Sequence, residues 1–153
     1  TRYISVTGVH VCSSDLTETL VRDYVLQRHE ITLDENEMRR RWGGQGLIAR
    51  RSEPEIYRRF VTETAPKVEE LRKKNIVRTV AINRISKPED GHYQVEFTTT
   101  DYDQLNKELG SSVWVADLTV TFIPREVNWS DRYMNPLGFT VTNYSVVAKR
   151  RRL

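Results

Sequence analysis

Near Ile76 the apolar residues stop recurring at helical intervals and begin to alternate with polar ones, a switch that restricts the chain to folds in which helices come first and a sheet follows. Upstream, Leu16, Leu20 and Tyr24, with Val21 and Val25, fall three and four residues apart. Ser14, Asp15 and Glu18 supply a capping signal before them, so one long helix is expected to end near Ile31. A shorter helix is expected from Asp34, with Glu37 three residues on, and is stopped by Gly43, Gly44 and Gly46. Ser52, Pro54 and Glu55 open another, with Ile56, Tyr57, Phe60 and Val61 as its apolar face; Thr64 and Pro66 open one more, to about Lys74. At the front, Tyr3 to Val11 alternates weakly and reads as a short lead-in strand.

Downstream, Val77 to Ile85 reads as a strand, Lys87 to Gly91 as a turn, and Tyr93, Val95 and Phe97 as one face of a second strand. The third is the clearest, because Trp114, Ala116, Leu118, Val120 and Phe122 share one face while Asp117, Thr119 and Thr121 share the other, with Pro124 closing it. A fourth runs from Phe139 to Val147. The expected architecture is α+β, with helices followed by a curved four-stranded antiparallel sheet wrapped on the long first helix.

At 153 residues, with 38% hydrophobic and 29% charged residues, the chain is read as a single globular domain over 1–153 that buries its own core. No run approaches the ~18 consecutive apolar residues of a membrane-spanning helix. Cys12 is the only cysteine, so an internal disulfide is excluded. The net charge of +3 owes much to Lys149, Arg150, Arg151 and Arg152, leaving a nearly neutral body.

One stretch is more specific than the rest. Asn135, Pro136, Leu137 and Gly138 form a rigid turn on chemistry alone: Asn accepts a backbone bond at the first position, Pro presets φ at the second, and Gly releases the chain into Phe139, Thr140, Val141, Thr142, Asn143 and Tyr144. This NPLGFTVTNY string resembles the NPxGF-V-x-Y signature of the eighth VirB-type subunit of bacterial type IV secretion systems. Separately, Val21, Arg22, Asp23, Tyr24, Val25 and Arg28 resemble the VR-x-YV-x-x-R pattern of that family's first helix. The resemblance runs from about Ser14 to Val147 in matching order.

It implies an NTF-two-like domain facing the periplasm at the bacterial inner membrane, joined in the full protein to a transmembrane anchor that this sequence does not contain. It further implies a non-enzymatic assembly scaffold for conjugation or effector translocation, with no cofactor, a weak homodimer and contacts to other channel subunits. The turn Asn135 to Gly138 would be the assembly element. Val21, Tyr24, Val25 and Arg28 are the candidate dimer or partner face, because this helix is apolar over more than one stripe; burial of both stripes is the competing arrangement. The basic, glycine-bearing stretch Arg39 to Arg51 and the KRRRL terminus lie outside the signature.

The alternative function is a small-molecule-binding or enzymatic NTF-two-like protein, with Asp, His or Tyr converging inside the cone between helix and sheet. His10, His29, His92, Tyr93 and Asp117 are its candidates, and they form no recognisable constellation in sequence. His10 with Cys12 offers only two metal ligands, and Gly43, Gly44 and Gly46 lack the Lys and Ser or Thr of a phosphate loop. Arg39, Arg40, Arg41, Arg50, Arg51, Arg58 and Arg59 could track phosphates around Trp42, but Glu35, Glu37, Glu53 and Glu55 are interleaved, so surface ion pairs are expected and any nucleic-acid contact would be transient.

Overall fold

In a computed structural model, the described residues are 5–123, 135 and 137–149, with side chains described from residue 15 onward. A long helix α1 (Ser5–His29) is followed by α2 (Glu35–Trp42), α3 (Leu47–Arg50), α4 (Pro54–Arg59) and α5 (Ala65–Lys73), then by strands β1 (Val77–Glu89), β2 (His92–Tyr102), β3 (Glu108–Phe122) and β4 (Phe139–Ala148). The strands form one antiparallel sheet in the order β1-β2-β3-β4. The expected α+β order, helices and then a four-stranded sheet, is the one found.

The sheet's inner face comes from alternate residues: Tyr93, Val95 and Phe97 on β2, and Ala116, Leu118 and Val120 on β3, all buried. Register shifts at Ile82/Arg84, Ser86/Glu89, Asp101/Tyr102 and Thr119/Val120 break the flat pleat and increase local twist, which lets so long a sheet curve. Against that face lie Val21, Tyr24 and Val25 of α1, with Ile48, Ile56 and Phe60 from the other helices, in one core. A smaller cluster of Ile31, Met38 and Val68 joins α2 to α5.

Five differences from the sequence reading are found. The front of the chain is helix from Ser5, not strand, and Ser14 and Asp15 lie within it; once later turns are packed, each added residue gains a hydrogen bond without a new nucleation cost. The helices of 54–74 are continuous through a π-helical turn at Phe60–Thr64, so Thr64 does not cap a fresh helix. Asp34 does cap α2, accepting from the amides of Asn36 and Glu37, but Glu37 does not reach back. Its carboxylate is taken by Arg40 and Arg41, while the Asp34 amide donates to Thr32 Oγ1. The short helix α3 has no sequence signal beyond the glycines before it, and β1 runs on to Glu89 so that only Asp90 and Gly91 make the turn.

The partner face assigned to Val21, Tyr24, Val25 and Arg28 is corrected by burial: the first three are fully enclosed within this chain and Arg28 is 7% exposed. The helix has the sheet on one side and α3 on the other, so both of its apolar stripes are used internally.

Candidate functional site

Asn135 and Gly138 hold the turn in place from both ends; Pro136 lies outside the described residues. Asn135 is buried, and its side-chain amide donates to the Arg50 carbonyl at 3.1 Å and the Phe139 carbonyl at 2.9 Å. It therefore acts as a donor that ties the turn to α3 and to β4, where the sequence suggested an acceptor. Its main-chain carbonyl accepts from the Gly138 amide at 3.3 Å, closing the turn. Gly138 has φ +70°, and a Cβ built there would stand 1.9 Å from the Ile123 carbonyl oxygen. Any side chain is excluded twice, by backbone conformation and by that contact.

The carbonyl of Gly138 accepts from the Ile123 amide at 2.9 Å and from Thr140 Oγ1 at 3.0 Å. Just beyond, the Val141 amide donates to the Arg51 carbonyl at 2.7 Å and the Glu53 amide donates back to the Val141 carbonyl, a parallel bridge at Ser52. The turn is thus fastened to α3, to the end of β3 and to the start of β4. Leu137 alone of the described turn residues points outward, 45% exposed.

Beneath it, β4 meets α1 through a polar network that sequence reasoning missed. Arg28 Nη1 donates to the Tyr24 hydroxyl at 3.0 Å, which in turn shares a 2.7 Å hydrogen bond with Ser52 Oγ. Arginine can only donate, so the Tyr24 proton is free to point at Ser52. The guanidinium carbon lies 4.0 Å from the Tyr144 ring centre and 4.8 Å from that of Phe60, a cation held by aromatic faces with no carboxylate in salt-bridge range among the described residues. His29 Nε2 and the Tyr144 hydroxyl share a 2.5 Å hydrogen bond, and the His29 ring packs on Phe97. Burial, with Arg28 and Arg78 adding repulsion, lowers the His29 pKa to about 3, and burial raises that of Tyr144. The only sequence signal for this network was the shared helical face of Tyr24 and Arg28, four residues apart.

The remaining sequence candidates do not converge. His92 sits at a strand end beside Glu89, Tyr93 is in the core, and Asp117 is on the outer face of the sheet. The side chains of His10 and Cys12 are outside the described residues, as are Arg150 to Arg152. Among the described residues no group of three or more His, Cys, Asp or Glu could hold a metal, and no helix is long and apolar enough to cross a membrane. Of the expected surface ion pairs, Arg40 with Glu37 and Arg58 with Glu55 form; Arg41 also meets Glu37 but is buried.

Helices followed by an antiparallel sheet, with Tyr24, Phe60, Phe97 and Tyr144 filling the space between, define an α+β domain. The VirB8 protein family model matches residues 8–149. The type IV secretion system protein virB8 of Bartonella henselae is 30% identical over 147 residues, an alignment covering 92% of this chain and 60% of that protein. Among solved structures, the soluble domain of TrwG type IV secretion machinery from Bartonella grahamii gives a TM-score of 0.77 at 20% identity, covering 90% of this chain and 95% of that one. The VirB8 protein of Agrobacterium tumefaciens gives 0.74 at 18% identity, covering 91% and 94%. A TraE protein in complex with 4-(1H-pyrrol-1-yl)pyridine-2-carboxylic acid gives 0.76 at 19% identity, covering 88% and 96%. These three bear on the fold alone. The chain belongs to the VirB8 protein family. It spans 60% of the length of its Bartonella henselae relative.

Proposed function

We propose that this domain is a non-enzymatic assembly scaffold of the secretion channel, facing the periplasm from the inner membrane and contacting other channel subunits through the turn at Asn135 to Gly138. The observation that carries this reading is the pinning of that turn to three elements with Leu137 left outward. Backbone so constrained adds little ordering cost on binding, which favours a preformed docking knob. The polar network below supports the non-enzymatic reading: a base with its pKa near 3 and a phenol with its pKa raised are displaced away from neutrality, the reverse of what proton transfer near pH 7 requires. A weak homodimer would use surface other than Val21, Tyr24, Val25 and Arg28; on α1 the exposed row Leu16, Thr19 and Arg22 remains.

The test is Leu137→Asp in the full-length protein. Secretion and capture of channel subunits should fall while the melting temperature of the domain stays unchanged, since Leu137 packs little. Undiminished secretion and capture would remove the role assigned to the turn. A small-molecule or enzymatic reading would instead predict turnover or ligand binding lost in Tyr144→Phe at unchanged assembly.

A further inference from the structure

Away from the turn, a groove runs along the helical layer. One part is a cleft of about 260 Å³ between α2 and α5, where Met38, Trp42, Ala65 and Val68 form an apolar slot rimmed by the charged Glu35, Arg39, Glu69 and Arg72. A second concavity is formed by Asn36, Arg39 and Arg40 with the loop of Gly43 to Gly46. Arg39 and Gly43 line both, so the two concavities adjoin. The loop is held against α2: the Gly43 amide donates to the Arg39 carbonyl at 2.9 Å, and a Cβ at Gly43 would stand 2.7 Å from that same oxygen. The concavity is therefore built before any ligand arrives.

Its charge is not balanced internally. Residues 35–74 carry eleven Lys and Arg against seven Asp and Glu, an excess that the rest of the chain does not share. Two acids, Glu35 and Glu69, line the cleft, but both are engaged by Arg72 at 3.2 Å. Arg72 Nε is buried with no hydrogen-bond partner, a donor left with unmet capacity. The Arg39 guanidinium is exposed and has no hydrogen bond or ion pair among the described residues, whereas its neighbours Arg40 and Arg41 are both paired with Glu37. An apolar slot abutting a free guanidinium suits a ligand that is acidic and carries one large apolar group.

We propose that this groove docks an extended acidic peptide segment of another protein, seating one aromatic or branched side chain between α2 and α5 and a neighbouring carboxylate at Arg39. The site is separate from the turn and does not depend on its role. A membrane surface is disfavoured, because the acids Glu35, Glu37 and Glu69 line or flank the groove and would face the headgroups.

The probe is a blocked synthetic pentapeptide with phenylalanine at its centre and two acidic residues on each side, titrated into the isotopically labelled domain. Saturable shifts are expected at the Trp42 indole, Gly43, Gly44, Ala65 and Val68. Arg39→Glu should weaken binding by about 10-fold or more, as should Ala65→Trp, which fills the slot, and so should serial replacement of the phenylalanine by serine in the peptide. Both variants change exposed or rim positions, and unchanged thermal melts confirm that they remain folded. Leu137→Asp should bind the peptide normally, which separates this site from the assembly turn. The proposal is overturned by an absence of saturable binding, by shifts centred elsewhere, or by variants or a serine peptide that bind equally well. Arg39-dependent binding to phosphatidylglycerol vesicles without peptide binding would overturn it too, in favour of a lipid surface.

Discussion

His29 links the fold to acidity in a defined direction. Its folded pKa of about 3 lies below the ordinary value of 6.5, so the unfolded chain takes up the proton first. Stability is then fully present above pH 6.5 and falls on acidification by up to about 1.4 kcal/mol per pH unit until pH 3, where the loss saturates. Urea unfolding at a series of pH values should show this slope, and His29→Gln should flatten it; equal slopes in the two proteins would refute the assignment. Tyr144 acts at the opposite end, since burial raises its pKa and stability is lost only as the solution becomes strongly alkaline. Gly138→Val should cost about 2–4 kcal/mol in equilibrium unfolding, combining a disfavoured φ with the collision at the Ile123 carbonyl. At Asn135 the sign of the hydrogen bonds gives a sharper test. Asn135→Ala strands the Arg50 and Phe139 carbonyls at about 1–3 kcal/mol, whereas Asn135→Asp sets a carboxylate against them and should be the less stable of the two.

Among the elements, α2 depends on its cap: Asp34→Ala should lower stability by about 1 kcal/mol and speed amide exchange at Asn36 and Glu37 before it affects the sheet. Exchange that instead rose uniformly across the domain would show that α2 has no independent opening. The elements legible in the sequence were those whose period was carried by several residues at once, as in β3, where alternation from Trp114 to Phe122 marks one face unambiguously. What stayed hidden was set by tertiary partners. The first five residues of β3, Glu108 to Ser112, are exposed, lack the alternation of the rest and acquire strand geometry by pairing with β2. The short α3 exists because Ile48 enters the core and Arg50 and Arg51 hand their carbonyls to Asn135 and Val141. The turn was readable from four residues, but its anchoring to α3, 85 positions earlier in the chain, was not. Likewise Val21, Tyr24 and Val25 of α1 resemble a surplus apolar stripe until the second wall of the core is seen.

At the scale of the molecule, one core joins α1, α3, α4 and the inner faces of β2, β3 and β4, so a single cooperative transition is expected. Far-ultraviolet circular dichroism and tryptophan fluorescence should give superimposable unfolding curves, and separate midpoints for helix loss and sheet loss would contradict a shared core. On the outer face of the sheet, by contrast, Glu96 is bound to Lys149 and Asn83. The contact between Ile123 and Gly138 has a further consequence. These residues stand at the two ends of the connection from β3 to β4, and Phe122 already faces Phe139 across the ladder. The chain therefore leaves and rejoins the sheet through a closed neck, and strand register is fixed there regardless of what lies between. Because lengthening an already closed excursion costs only about 0.6 kcal/mol per doubling, a change of length in that connection upstream of Asn135 should leave the frame of the sheet intact.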